Sequence, residues 1–449
     1  MNSQAPVASK SIVHNYRWRI VALLFFATTI NYIDRNVLSF TMIDESFRKT
    51  MLGLSDSATL TETDINRFKE LMGYVDAAFK TAYALGFLLV GWFIDKVGTR
   101  IGFAWSIVVW SLAGVANAFV SSIRGLGLTR FMLGVGEAGN FPSAIKSVAE
   151  WFPKKERSFA TGVLNAGTNV GVIATAFAVP YLTLHYGWRI SFVATGMLGV
   201  VVVLFWLKLY KKPEEHPRIS KSELEYIRSD QDERSNSKIS WAKLLTYKQT
   251  WALMVCKFMA DPIWYFYLTW LPDFFNSSES LDEKLDLKNI GIPFLLIYLI
   301  SDAGSIFFGW LSSTLINRGW NVGQARKMTM LLCGLCVVPI VFASLTHNIY
   351  LAVVLIALAT AAHQGWSANV YTMGSDLFPK NTVSSVIGMG GMFGSVGGIL
   401  LASTAGLIRV KFGYLPLFII AGVNYLLALG VVQMLLPQWQ RVSLDAESK

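Results

Sequence analysis

Among the ionisable residues inside apolar runs long enough to cross a bilayer are Asp34, Arg35, Lys80, Arg130 and Glu137. A charge in hydrocarbon costs several kcal/mol unless it is paired or solvated, so each is a candidate functional group. Their types suggest proton and anion chemistry. A buried carboxylate far from any cation holds its proton, and one beside an arginine releases it. Asp34 can therefore trade between Arg130 and a proton, and Glu137 can do the same. Arg130 and Glu137 are seven residues apart, two turns along one helix face. Arg35 has the planar fork that takes a carboxylate bidentately. A permanent salt bridge tying the first and fourth apolar runs together is the alternative use of these charges. Lys80 can meet a second anionic group, or pair with Asp76 one turn away.

Aromatic and polar residues mark the second half of the chain. One run reads Asp261-Pro-Ile-Trp264-Tyr265-Phe-Tyr267-Leu-Thr-Trp270. Trp264 and Tyr265 are candidates for stacking on and hydrogen-bonding a ring-shaped ligand, whereas Tyr267 and Trp270 fit an interfacial aromatic belt. Lys257, Asp261 and Asp302 can pair with one another, and their roles stay open. Asn165, Thr168 and Asn169 are possible ligands for hydroxyl groups.

The elements that must position these side chains follow from composition. Of the 449 residues 53% are hydrophobic and only 15% charged, and the mean hydropathy is +0.45. A soluble enzyme of ordinary composition is excluded, as is a disordered or nucleic-acid-binding chain. At about 20 apolar residues per span, the hydrophobic content suffices for about twelve spans. Apolar runs fall near 20–42, 73–94, 101–120, 126–149, 158–182, 188–209, 249–272, 290–314, 328–346, 349–375, 383–407 and 413–436. They lack period-two alternation, so they are helices rather than barrel strands. Basic loop residues (Arg17, Arg19, Lys96, Arg100, Lys154, Lys155, Arg157, Arg326, Lys327 and Lys380) collect on one side. The other side holds the 43–72 loop and an acidic loop with Asp282, Glu283 and Asp286. The basic side is expected to be cytoplasmic, with both termini there, and the net charge of +10 reflects that bias. The polar stretch 211–247 reads as a cytoplasmic linker with one short surface helix opened by a capping box at Ser222–Glu225. Cys333 and Cys336 form a CxxC inside an apolar run, where helix packing is expected rather than a metal site. No cleavable signal peptide is expected, because the first apolar run is too long.

An internal repeat divides the spans. Trp151-Phe-Pro-Lys154 recurs as Leu377-Phe-Pro-Lys380, and Gly187-Trp-Arg-Ile-Ser-Phe192 falls on Gly413-Tyr-Leu-Pro-Leu-Phe418 in the same register. The expected organisation is an N-terminus (1–19), a six-helix bundle (20–210), the linker (211–247), a second six-helix bundle (248–437) and a tail (438–449). Two such halves in parallel orientation are the arrangement of transporters that rock around a central site. In this register Glu137 falls on His363, and Gln364 follows. Asn369 stands within two turns and can add a hydroxyl contact. His363 can bind hydroxyls or titrate near neutrality, or serve as a satisfied core residue.

Gly91-Trp-Phe-Ile-Asp95-Lys96-Val-Gly98-Thr-Arg100 resembles the loop signature of the major facilitator superfamily. Asn31-Tyr-Ile-Asp34-Arg35, Arg130-Phe-Met-Leu-Gly-Val-Gly-Glu137 and Glu150-Trp-Phe-Pro153 are similar to its anion:cation symporter family, and Ala362-His363-Gln364 with Ser375-Asp376 to the hexuronate transporter branch. The resemblance implies an all-α membrane protein of twelve helices around a central cavity, with no enzyme activity and no cofactor. It implies proton-coupled uptake of a sugar-acid anion, a hexuronate such as glucuronate or galacturonate. Aldonate, aldarate or other organic-anion transport on the same fold is the nearest rival, and a transporter-like membrane sensor the rival of another class. The partners implied are a small carboxylate, protons and the lipid bilayer of a bacterial inner membrane, with no nucleic acid and a monomeric chain. Proton coupling falls to Asp34, Glu137 and Arg130. Substrate binding falls to Arg35, Lys80, Tyr83, Trp264, Tyr265, His363, Gln364 and Asn369. Gating falls to Asp95, Lys96 and Arg100, with an Asp–Arg pairing latching the outward-facing state. Gly394 stands where some sugar-acid relatives carry asparagine.

Overall fold

A computed structural model describes residues 15–229, 241–277, 280–282 and 291–442. Glu283 and Asp286 of the acidic loop lie outside the described residues. The chain is helical: α1 (Tyr16–Thr41), α2 (Glu45–Leu52), α3 (Glu62–Val97), α4 (Thr99–Ala116), α5 (Ile123–Glu137), α6 (Asn140–Trp151), α7 (Lys154–Tyr186) and α8 (Trp188–Leu209) precede the polar linker. Then follow α9 (Lys221–Arg228), α10 (Trp241–Leu244), α11 (Lys248–Ser277), α12 (Gly291–Asn317), α13 (Val322–Val337), α14 (Ile349–Leu377), α15 (Val383–Phe412) and α16 (Leu415–Leu435).

Each expected apolar run lies mainly on one of these helices or on the consecutive pair α5 and α6, with 101–120 and 328–346 continuing into 3-10 helices at Asn117–Phe119 and Val338–Ser344. Nine helices among the described residues are long and apolar enough to cross a membrane on composition alone. The three remaining runs lie on α1, which carries Asp34 and Arg35, on the two shorter helices α5 and α6, which carry Arg130 and Glu137, and on α11, which carries Lys257 and Asp261. Between α5 and α6 the backbone stays near helical values at Ala138 (φ −59°, ψ −20°) and Gly139 (φ −81°, ψ −11°), so the fourth span barely bends.

Two departures from expectation occur in the polar segments. The 43–72 loop contains α2, capped by the Asp44 side chain accepting from Phe47 N–H, and the first turns of α3, opened by a capping box of Thr61 and Asp64. In the linker, Ser220 rather than Ser222 caps α9, because the Ser220 hydroxyl accepts from Glu223 N–H. The short helix α9 also docks one face against the start of α1. Its buried Glu223 takes the Arg17 backbone N–H at 3.0 Å and its guanidinium at 3.4 Å.

Helix packing repeats between the two halves. Spans one and five, two and four, and three and six pack as α1·α7, α3·α5 and α4·α8 in the first half. The same order recurs as α11·α15, α12·α14 and α13·α16. Across the middle, α3 packs on α15 and α7 on α12. Backbone approach there is close enough to demand glycine. A Cβ on Gly388 would lie 2.1 Å from the Phe87 carbonyl oxygen, and one on Gly162 2.4 Å from that of Ser305. Large apolar residues such as Phe26 and Leu204 face outward, as a lipid-facing surface requires.

Candidate functional site

The terminal end of the bundle, where α3 and α14 finish and α15 starts, is closed by buried charges. Asp95 at the end of α3 accepts from Lys146 at 2.7 Å and from the backbone N–H groups of Ser384 (3.3 Å) and Ser385 (2.7 Å). It thereby satisfies the orphan amides of the α15 N-terminus, where the helix dipole favours an anion. Asp376 takes Arg157 at 3.3 Å and Arg326 at 3.0 Å, so one carboxylate joins an arginine from each half. The Asp–Arg pairing expected at residues 95 and 100 is not the one formed. Arg100 donates instead to the Leu207 carbonyl at 2.5 Å, and Lys96 lies over the Trp92 ring. Asp95 has buried partners nearer to hand in Lys146 and the α15 amides.

Towards the other end the halves part. A cleft of about 340 Å³ is lined by residues of α3, α11 and α15, among them Asp76, Lys80, Tyr83, Tyr265 and Trp270. Lys80 is half exposed and pairs with Asp76 at 2.6 Å, at the rim rather than at the centre.

Below this cleft lies the Arg35 cluster. Arg35 pairs through Nε with Glu137 at 2.7 Å; Glu137 is fully buried and Arg35 is 19% exposed. The guanidinium lies 4.5 Å from the Tyr83 ring centre and 4.7 Å from that of Tyr32. Arg130 donates to the Arg35 backbone carbonyl at 3.0 Å and lies over Phe79. The bridge across spans one and four is thus Arg35–Glu137, not Asp34–Arg130. Successive helix residues point about 100° apart. While Arg35 faces the centre, Asp34 turns into its own half, where its carboxylate lies beside Gly114 of α4 and Thr195 of α8.

The second half contributes a different set. Lys257 donates to Asp261 at 2.9 Å and to the Tyr371 hydroxyl at 3.1 Å, and sits over the Tyr371 ring. Tyr371 in turn stacks on Phe141 of α6, with centroids 4.8 Å apart at 5°. This triad was only half visible in sequence, as two opposite charges one turn apart. Trp264 stacks on His363 at 4.9 Å, and His363 Nδ1 meets the Tyr425 hydroxyl at 2.5 Å, so the imidazole is a partnered core group beneath an aromatic floor. Tyr265 lines the cleft, whereas Tyr267, expected in an interfacial belt, is buried. Gln364 accepts from Asn165 at 2.6 Å, and Asn369 accepts from the Ser158 hydroxyl at 3.1 Å. Both therefore stand in the contact between halves. Asn169 likewise donates to Asp302 at 2.8 Å across α7 and α12.

A family model described as the Major Facilitator Superfamily matches residues 24–402. The chain belongs to the Major Facilitator Superfamily. It is accordingly a multi-pass membrane transporter and not an enzyme. Among its relatives in the superfamily is the hexuronate transporter of Escherichia coli strain K12, 28% identical over 442 residues, covering 97% of this chain and 98% of that one. The Probable galactarate/D-glucarate transporter GarP of the same strain is 30% identical over 410 residues, covering 87% of each. The galacturonate transporter of Dickeya chrysanthemi is 28% identical over 303 residues, 67% of this chain and 82% of that one. Among solved superfamily structures, the proton:xylose symporter XylE superposes with a TM-score of 0.71 at 14% identity, covering 95% of this chain and 97% of that one. The fucose transporter FucP in an outward conformation gives 0.69 at 13% identity, covering 94% and 99%.

Proposed function

We propose that the chain imports a sugar-acid anion, a hexuronate such as glucuronate or galacturonate, together with protons. The observation that carries this reading is Arg35, a guanidinium aimed at the centre of the bundle, ringed by Tyr32 and Tyr83 and backed by a fully buried Glu137. A substrate carboxylate must compete with Glu137 for that fork. Protonating Glu137 removes the competitor, so anion and proton enter together. Asp34, buried beside Gly114 and Thr195, is the second proton site, and Arg130 holds the Arg35 backbone in place. Trp264 and Tyr265 offer the far wall for sugar hydroxyls. The relatives named for hexuronate and galacturonate transport support the substrate class.

Import of an anion against a negative-inside potential costs ~2.3 kcal/mol per charge per 100 mV, and one proton cancels that charge. The positive-inside bias of the basic loops supports a cytoplasmic terminal end with both chain termini on that side. In that frame the Asp95 and Asp376 clusters close the inner side, the cleft opens outward, and rocking of the 20–210 bundle against the 248–437 bundle exposes the site to the inside. The transporter works as a monomer in a bacterial inner membrane.

Reconstitution in liposomes tests the proposal. Internal pH is followed as glucuronate, galacturonate, galactonate and glucarate are added in turn. Acidification on hexuronate addition, lost in Glu137→Gln, is the expected result. Labelled-hexuronate uptake without proton movement would overturn the coupling, and no uptake of any hexuronate would overturn the substrate.

A further inference from the structure

The two buried ion pairs at the centre face the site with opposite signs. In the first, the cation is the reachable partner: Arg35 is 19% exposed and Glu137 0%. In the second the order is reversed, with Asp261 21% exposed and Lys257 7%. A ligand lying between the halves therefore meets a guanidinium on one side and a carboxylate on the other. We infer that Asp261 is a specificity determinant that restricts the site to sugar acids bearing a single carboxylate, by setting a negative charge where the second carboxylate of an aldarate would lie. This deepens the sugar-acid reading above and rests on it.

Three observations support the assignment. First, the tyrosines between the pairs are shared. Tyr83, whose ring centre is 4.5 Å from the Arg35 guanidinium, lines the same cleft as Tyr265, and Tyr371, which accepts from Lys257, stacks on Phe141 of the first half, so the two pairs border one site. Second, the Asp261 carboxylate is given its place by a glycine. A Cβ on Gly394 would stand 2.1 Å from Asp261 Oδ2. Any larger residue at 394 pushes the carboxylate away. Third, Lys257 is masked. Its ammonium is spent on Asp261 at 2.9 Å and on the Tyr371 hydroxyl at 3.1 Å. It reaches a ligand only when Asp261 is displaced or neutralised.

Other charges near the site do not reverse this polarity. Asp76 and Lys80 at the rim pair with each other, and His363 is turned into the core towards Tyr425. At the Asp261 end, sugar hydroxyls donate to the carboxylate, which costs a monocarboxylate nothing. The second carboxylate of an aldarate meets like charge, and such juxtapositions cost several-fold to many-fold in affinity.

The test compares galacturonate with galactarate, two ligands that differ at one end. Dissociation constants are measured on purified full-length protein, wild type and variants, with thermal unfolding recorded alongside. The wild type is expected to favour galacturonate by at least about tenfold. Asp261→Asn, which removes the charge and unmasks Lys257, is expected to shift the ratio towards galactarate by a similar factor. Gly394→Ala is expected to shift it the same way without touching either charge. Wild-type protein that binds both ligands equally, or variants that keep the wild-type ratio, would overturn the inference and leave sugar-acid transport standing. If Asp261→Asn does not fold, the wild-type ratio and Gly394→Ala decide. Wild-type protein that binds neither ligand overturns the sugar-acid reading, and this inference with it.

Discussion

Replacing Glu137 by glutamine isolates the competition on which the proposed coupling depends. In the resting site Glu137 occupies the Arg35 fork at 2.7 Å with its own side chain wholly buried. A hydrogen bond between charged groups contributes about 1.5–3 kcal/mol. A substrate carboxylate must recover that amount before it binds. Glu137→Gln keeps the side-chain shape but removes the charge, so it mimics the protonated state. If about 2 kcal/mol of the pairing is lost, substrate affinity rises by roughly 30-fold at 1.4 kcal/mol per decade. The wild-type affinity is expected to fall by about tenfold per pH unit once Glu137 is ionised, because binding then takes up one proton. Affinity of the variant is expected to be flat over the same range. Isothermal titration of purified protein with galacturonate at several pH values measures both effects. Counterflow of labelled substrate, which needs no net proton movement, should persist in the variant, while accumulation driven by a pH gradient should vanish. Weaker binding in Glu137→Gln with an unchanged pH slope would refute the competition mechanism.

Three further outcomes are expected from the same architecture. Asp34→Asn should abolish pH-driven accumulation while leaving galacturonate affinity within about threefold, because Asp34 faces Gly114 and Thr195 rather than the Arg35 fork; a large loss of affinity would place Asp34 in the binding site instead. Gly388→Ala should separate α3 from α15 next to the Asp95 cap, since its Cβ would meet the Phe87 carbonyl at 2.1 Å. Cysteine accessibility from the terminal end should rise, and unchanged accessibility would remove the latch from the gating scheme. His216, in the linker, is held below the ordinary histidine range by burial, with Nε2 against the Leu209 carbonyl and Nδ1 accepting from Arg218 N–H. Its neutral form is favoured in the folded state. Its stabilising contribution is therefore present above the unfolded histidine value and lost as pH falls through the folded one. Thermal unfolding across pH 7 to 5 should show an acid-side loss that His216→Phe reduces.

The parts of the molecule legible in the sequence were those written in a single helix. The sixth apolar run, 188–209, is the helix Trp188–Leu209 to the residue, because Gly187 and Tyr210 bound a stretch with no internal break. The Asp34, Arg35, Arg130 and Glu137 set stood out because charge is rare in such runs. What could not be read was direction around the helix. Asp34 and Arg35 are adjacent in the chain yet face different neighbours, so the expected Asp34–Arg130 pair gave way to Arg35–Glu137. Asn369 and Gln364 are mid-span polar groups, but the second bundle turns them onto Ser158 and Asn165 rather than into the cleft. The third member of the Lys257 cluster, Tyr371, comes from 114 residues away, a distance that no local pattern spans. Helix α2 was missed because it is short and polar, and its signals are local ones, the Asp44 cap at its start and the left-handed Gly53 at its end.

The spacing of the two central ion pairs also bears on how the chain is made. Lys257 and Asp261 stand one turn apart on the same helix, so α11 carries its countercharge with it as it leaves the translocon. A lone lysine or aspartate at a helix centre raises the insertion cost by about 2.5–3.5 kcal/mol, and self-pairing lowers that cost before any neighbour has been synthesised. Arg35 and Glu137 are 102 residues apart. The first helix must therefore enter with its arginine unmatched, and it waits through α3 and α4 for α5 to bring the partner. Biogenesis of the first half thus depends on a late-arriving partner, whereas the second half begins with a helix whose central charges are already paired with each other.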